Sequence, residues 1–197
     1  MSGKIKHTKN ELKAQQENLQ RFERFLPMLQ LKKQLLQAEV QHVQTAVHGV
    51  EMQEKTLRDD LASWIALFAD PVEPADYLAV AEVHLEDGNV AGVAVPVFNR
   101  VDFKRRSPDL FATPPWLDEA LSVLEQLITL QEHIKVLKEQ ERLIRVELVT
   151  TSQRVNLFEK VKIPETHENI RVIKIFLGDE QTAAVARAKT AKARLRQ

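Results

Sequence analysis

Six histidines, His7, His42, His48, His84, His133 and His167, are the first place to look for chemistry in this chain. No two stand four residues apart on one helix and no His-Glu-x-x-His occurs. The spacing that lets two imidazoles share a cation is therefore missing. Asp59-Asp60 and Glu139/Glu141 are carboxylate pairs. General acid–base work needs two carboxyls held in different environments, whereas on a solvated helix such pairs are ordinary decoration. Lys55-Thr56 and Lys189-Thr190 resemble the end of a phosphate-cradling loop. The glycines that would let backbone N–H groups approach a phosphate are absent. The chain has no Cys, which excludes disulfides, thiolate metal sites and cysteine nucleophiles. These residues predict no catalytic centre, no metal site and no cofactor.

A second group is cationic. Arg187, Lys189, Lys192, Arg194 and Arg196 follow Gln181 with no acid among them, and Lys4, Lys6 and Lys9 lie near the other terminus. If the termini meet, they form a basic tip. Such a tip suits nucleic-acid phosphates, an anionic membrane surface or a protein sleeve; a frayed, solvated end is the plain alternative. The tail has no aromatic residue on which a base could stack, which weakens the first choice. Lys+Arg and Asp+Glu balance at 28 each, which argues against a globally basic nucleic-acid binder.

The elements that must position these groups follow from Gly and Pro. Six of the eight prolines fall between Asp70 and Trp116, whereas Met28–Ala69 holds no Pro and one Gly, and Trp116–Ile163 holds neither. Gly and Pro are the strongest local breakers, so the 197 residues read as long helix, punctuated middle, long helix. In the first segment a heptad runs through Leu36, Val40, Val43, Val47, Val50, Leu57 and Leu61, and 14 of its 17 a and d positions are apolar. In the second it runs through Val123, Leu127, Leu130, Ile134, Leu137, Ile144 and Leu148, with 10 of 12 apolar. A period of 3.5 sustained this long keeps one seam facing a partner helix.

The expected fold is mainly α: a long antiparallel two-helix coiled coil with a small β-hairpin inserted in the middle. Its parts are a helix over 1–69, a Pro-rich connection over 70–115, a helix over 116–178 stopped at Gly178, and a basic tail over 179–197. Pairing residues whose numbers total 184 aligns the seams, and a slip of one heptad satisfies the same pattern. The seam residues Lys33, Glu54 and Glu141 either fix register or reach out to water. Pro27 and Pro164 either loosen the terminal third or are tolerated kinks. Asp87-Gly88 between apolar runs predicts a hairpin over about 78–98 that turns there. Its face bearing Val80, Glu82, His84, Val93, Val95 and Val97 is a candidate docking surface, or is buried under the Pro-rich loops. The N-terminal residues show no apolar stretch of the signal-peptide kind, and no window of about 18 uncharged apolar residues exists to span a bilayer.

Two runs carry a family resemblance. Thr8-Lys9-Asn10-Glu11-Leu12 with Phe25-Leu26-Pro27-Met28-Leu29-Gln30-Leu31-Lys32-Lys33, and more strongly Arg154-Val155-Asn156-Leu157-Phe158-Glu159-Lys160-Val161-Lys162-Ile163-Pro164, resemble the D subunit of rotary V/A-type ATPases, especially the bacterial branch. The middle third matches by layout only. The resemblance implies a non-catalytic central-stalk rotor shaft, monomeric within its complex. Residues 1–26 and 164–197 would enter the bore of the catalytic A/B hexamer, and the region of 78–98 would face the F subunit and the adapter on the membrane ring. It implies ATP synthesis or hydrolysis coupled to ion transport, a position on the cytoplasmic face without insertion into the membrane, and no nucleic-acid partner. The heptads alone also fit a self-associating coiled-coil scaffold.

Overall fold

The computed structural model describes residues 5–62, 74–107, 109 and 113–195. They form α1 (Lys9–Ala62), a two-stranded antiparallel sheet of β1 (Leu78–Val90) and β2 (Val93–Arg105), α2 (Leu117–Leu157) and α3 (Ile163–Arg194). The chain is thus mainly helical with a hairpin in the middle. The end expected for the first helix, around residue 69, lies outside the described residues.

Helix α1 runs through Pro27 unbroken. Pro27 is exposed, and the missing donor is one among many in a helix of 54 residues. Pro164 is accommodated differently. The turn before it, Phe158–Lys162, is π-helical, and the Ile163 N–H donates to the Phe158 carbonyl five residues back. A proline ring clashes with the carbonyl four residues earlier, and a widened turn supplies the room. Gly178 does not stop the last helix, which continues to Arg194. Ala183, Ala184, Ala186, Ala188, Ala191 and Ala193 follow that glycine, and their helix propensity outweighs the roughly 1 kcal/mol that one Gly costs.

The hairpin differs from expectation in its turn. Val90 pairs with Val93, so the two-residue loop is Ala91-Gly92, not Asp87-Gly88. Both loop residues have positive φ, 51° and 83°, as a type I′ turn requires. The Asn89 side-chain oxygen accepts the Gly92 N–H at 2.9 Å. Gly88 lies inside β1 opposite Val95, where a Cβ would meet Val97 Cγ2 at 2.6 Å. The glycine therefore serves a close approach rather than a turn. Irregularities between Val80 and Glu82 and between His84 and Leu85 interrupt the ladder, re-aiming side chains on either side.

Two compact parts make up the chain: Gln34–Val149, and Met1–Lys33 with Thr150–Gln197. In the first, Leu36, Val40, Val43 and Val47 of α1, Leu137 and Ile144 of α2 and Val95 of β2 form one buried cluster, with Val50, Val90, Val93 and Leu148 packed on it. Leu61, Leu127 and Ile134 are also buried, whereas Leu57, Val123 and Leu130 are half-buried. A second cluster joins Leu78 of β1 to Leu117 and Leu121 of α2, with Phe103 and Trp116 beside it. In the second part, Val155, Ile170, Ile173, Thr151 and Thr166 are buried. Phe22 meets Phe158 at 5.3 Å between ring centroids, and His7 meets Phe176 at 4.8 Å.

Candidate functional site

Two features of the Gln34–Val149 part have built geometry: the contact between the helices and the seat of the hairpin. The helix contact holds polar pairs at its edge. The Gln44 amide donates to Glu141 Oε1 at 2.8 Å, and the Gln131 amide donates to Glu54 Oε1 at 3.1 Å. Residue number rises along α1 as it falls along α2, so the helices are antiparallel here. Both pairs total 185, within one residue of the 184 alignment and far from a heptad slip. Each carboxylate also receives an arginine from its own helix one turn on: Arg58 reaches Glu54 at 2.8 Å and Arg145 reaches Glu141 at 2.7 Å. Lys138 adds an ion pair to Glu51 at 2.7 Å. The Glu54 carboxyl is held below the usual carboxylate range, first by the Gln131 amide and then by Arg58. Glu141 is lowered too, first by Arg145, with Gln44 adding to it.

The hairpin is seated along α2. At its base the Arg106 N–H donates to the Tyr77 carbonyl at 2.9 Å. Arg105 bonds Asp118 at 2.6 Å and lies 3.7 Å from Glu125. Further along, the Gln140 amide donates to the Pro96 carbonyl at 2.6 Å. Phe98 stacks on His133, with centroids 4.8 Å apart and planes inclined by 17°. Burial pushes the His133 pKa down, because the charged imidazolium loses water there.

The six residues expected to make one docking face do not share one. Val95 is buried in the helix cluster and Val93 packs against it, so neither faces a partner. The shifted turn sets them beside Gly88 and Val90, with one ladder irregularity between them and His84 and Glu82 and a second before Val80, whereas Val97 follows Val95 in an unbroken ladder. Val80, Glu82 and Val97 remain exposed, together with Leu85, which sequence reading did not single out. His84 Nε2 lies 2.7 Å from Asp102 Oδ2, and Arg100 lies 3.3 Å from the other oxygen of that carboxylate. Of the basic residues, Lys6, Lys9, Arg187, Lys189, Lys192 and Arg194 are exposed; Lys4 and Arg196 lie outside the described residues.

Sequence reading missed Gln44, Gln131, Phe98, His133 and Gln140. The Glu54/Arg58 and Glu141/Arg145 spacings, each four residues, were the readable signal for the polar pairs. The glutamines that complete them become visible only once two helices are aligned. Nothing local marked the Phe98–His133 stack, which joins residues far apart in sequence. Among the described residues no helix is long and apolar enough to cross a membrane, and no group of three His, Cys, Asp or Glu stands where it could hold a metal ion.

Known proteins share this arrangement of sequence. A family model described as the ATP synthase D subunit matches residues 11–193. The V-type ATP synthase D subunit of Borreliella burgdorferi is 42% identical over 192 residues, covering 98% of this chain and 95% of that protein. The protein of the same description from Chlamydia muridarum is 35% identical over 202 residues, covering 100% and 98%. That of Chlamydia pneumoniae is 34% identical over 198 residues, covering 99% and 95%. With matches of this extent on top of an apolar helix seam and a seated hairpin, the chain belongs to the family of ATP synthase D subunits.

Proposed function

We propose that this chain is the central-stalk rotor shaft of a V/A-type ATPase. It carries rotation between the catalytic A/B hexamer and the ion-translocating ring, and it has no catalytic centre of its own. The observation that carries this reading is the buried seam between α1 and α2, with Leu36 and Ile144 fully enclosed. A shaft transmits torque only if its two helices cannot slide past each other, and interdigitated apolar side chains resist sliding. In this reading residues 1–26 and 164–197, with the basic groups Lys6, Lys9, Arg187, Lys189, Lys192 and Arg194, form the end inside the hexamer bore. The hairpin and the helix beside it face the F subunit and the ring adapter, through exposed apolar residues such as Val80, Leu85 and Val97. The complex holds one copy of the chain, on the cytoplasmic face of the membrane.

Reconstitution tests it. The chain is expected to copurify with the A, B and F subunits, and Leu85→Asp with Val97→Asp is expected to weaken binding of the F subunit by calorimetry while leaving helicity unchanged. Sedimentation of the isolated chain as a stable parallel dimer that binds none of these proteins would instead support a coiled-coil scaffold.

A further inference from the structure

We propose that the two reciprocal pairs, Gln44–Glu141 and Glu54–Gln131, select the register in which α1 and α2 pack. This deepens the shaft reading, since a shaft with two interchangeable registers would turn slippage into lost rotation.

The apolar seam cannot make this selection alone. Its residues recur every seven positions, so a shift of one heptad brings apolar side chains opposite apolar side chains again. The polar pairs do not recur together: a heptad shift leaves only one of the four groups with a favourable polar partner, Glu54 with Lys138 in one direction or Glu141 with Gln37 in the other. Each Glu–Gln bond crosses between helices, one donor on each helix, with ten residues separating Gln44 from Glu54 and Gln131 from Glu141. A heptad shift in one direction sets Gln44 opposite Leu148 and Gln131 opposite Leu61, and brings Glu141 to Glu51. The opposite shift sets Gln44 opposite Ile134, Gln131 opposite Val47 and Glu54 opposite Leu124. Either way both amides and at least one carboxylate lose their cross-helix partner. Gln44 is exposed and can turn to water, but Gln131 is half-buried, and an amide left without a partner there costs more than the hydrogen bond itself contributes. The wrong registers are therefore disfavoured by what they strand.

The arginines strengthen the discrimination. Arg58 and Arg145 stay with their own glutamates in any register, because each pair lies within one helix. Arg145 is the first cause of the lowered Glu141 carboxyl, and at Glu54 Arg58 adds to the effect of the Gln131 amide. A carboxylate kept charged is the stronger acceptor for the amide across the seam.

Cysteine cross-linking reads register directly, because the chain has no native Cys. Val47→Cys is combined in turn with Leu137→Cys, Leu130→Cys or Ile144→Cys and equilibrated in a glutathione buffer. With the pairs intact, the 47–137 disulfide exceeds each of the other two by roughly tenfold or more. Replacing Gln44, Glu54, Gln131 and Glu141 together by Leu removes that preference, and the 47–130 or 47–144 disulfide rises to a comparable yield. If the fourfold variant loses helicity by circular dichroism, Gln44→Leu with Gln131→Leu is measured in its place, with the 47–130 species expected to rise. Retention of the 47–137 preference in the folded variant overturns the proposal. The readout needs no other protein of the complex, so this result and the reconstitution result can fail separately.

Discussion

The Gln34–Val149 part and the part built from Met1–Lys33 and Thr150–Gln197 start from the same heptad grammar and end with different interiors. A pair of helices has one shared face. In Gln34–Val149 the hairpin lies on that pair, and Val95 joins the helix cluster, so three layers enclose Leu36 and Ile144. In the other part Ile173 is fully buried, yet among the described residues ten large apolar side chains are exposed there, Phe25, Met28, Leu31, Leu157, Val161 and Ile175 among them, against seven in the longer Gln34–Val149 part. Two helices without a third layer of their own chain leave apolar side chains on the outside. Continuous periodicity specifies a seam, and the number of layers decides how much of it leaves water.

The largest test of this contrast sets two like substitutions side by side. Ile144→Ala removes a fully buried side chain from the three-layer cluster and is expected to cost near the top of the range of about 2–5 kcal/mol for Ile→Ala. Ile173→Ala removes an equally buried one from a thinner surround that can collapse into the gap, so its cost falls near about 2 kcal/mol, the low end of that range. Amide exchange measured separately over 36–50 and 166–176 reports each. Equal losses would break the comparison.

A smaller effect is expected at Gly88, where a new Cβ would lie 2.6 Å from Val97 Cγ2. Gly88→Ala overpacks the hairpin and costs about 1–3 kcal/mol, seen as faster exchange across 78–105.

Legibility followed the length scale of the signal. The helices and their antiparallel alignment rest on a long series of seam positions such as Val40, Val47, Leu137 and Ile144, and so many agreeing residues outvote one Pro27 or one Gly178. The hairpin turn rested on a single dipeptide. Asp87-Gly88 has the composition of a turn, but Ala91-Gly92 adopts it, because the strands continue through Val90 and Val93 and only that register puts Val95 into the helix cluster. Tertiary packing overrode the local preference. The same holds for the docking face: its residues were assigned by alternation, which the interrupted ladder breaks. The glutamines of the polar pairs carried no signal until a partner helix was placed beside them.

Acid distinguishes the hairpin seat from the helix seam. Burial lowers the His133 pKa in the folded chain, so the imidazole's contribution is full above its unfolded value, about 6.5, and declines as pH falls below it. Glu54 and Glu141 also have lowered folded pKa values. Their contribution is full above about 4.3 and is lost as pH falls further. Exchange protection over 93–98 is therefore expected to decline in mild acid, before protection over 40–58. His133→Phe keeps a ring against Phe98 and removes the earlier transition. Simultaneous loss of both regions would show that the hairpin and the seam open as one unit.

The smallest expected change is a gain. Ala91 holds a φ of 51°, a left-handed conformation that Cβ sterics penalise by roughly 1–2 kcal/mol in residues other than Gly and Asn. Asn at the first position and Gly at the second is the preferred pair for a type I′ loop. Ala91→Asn is thus expected to stabilise the hairpin by about 0.5–1 kcal/mol, read as slower exchange at Val90 and Val93 with 40–58 unchanged. The sign matters more than the size. A turn at Asp87-Gly88 would leave residue 91 in an extended strand, where Asn is a poorer residue than Ala, and the substitution would destabilise.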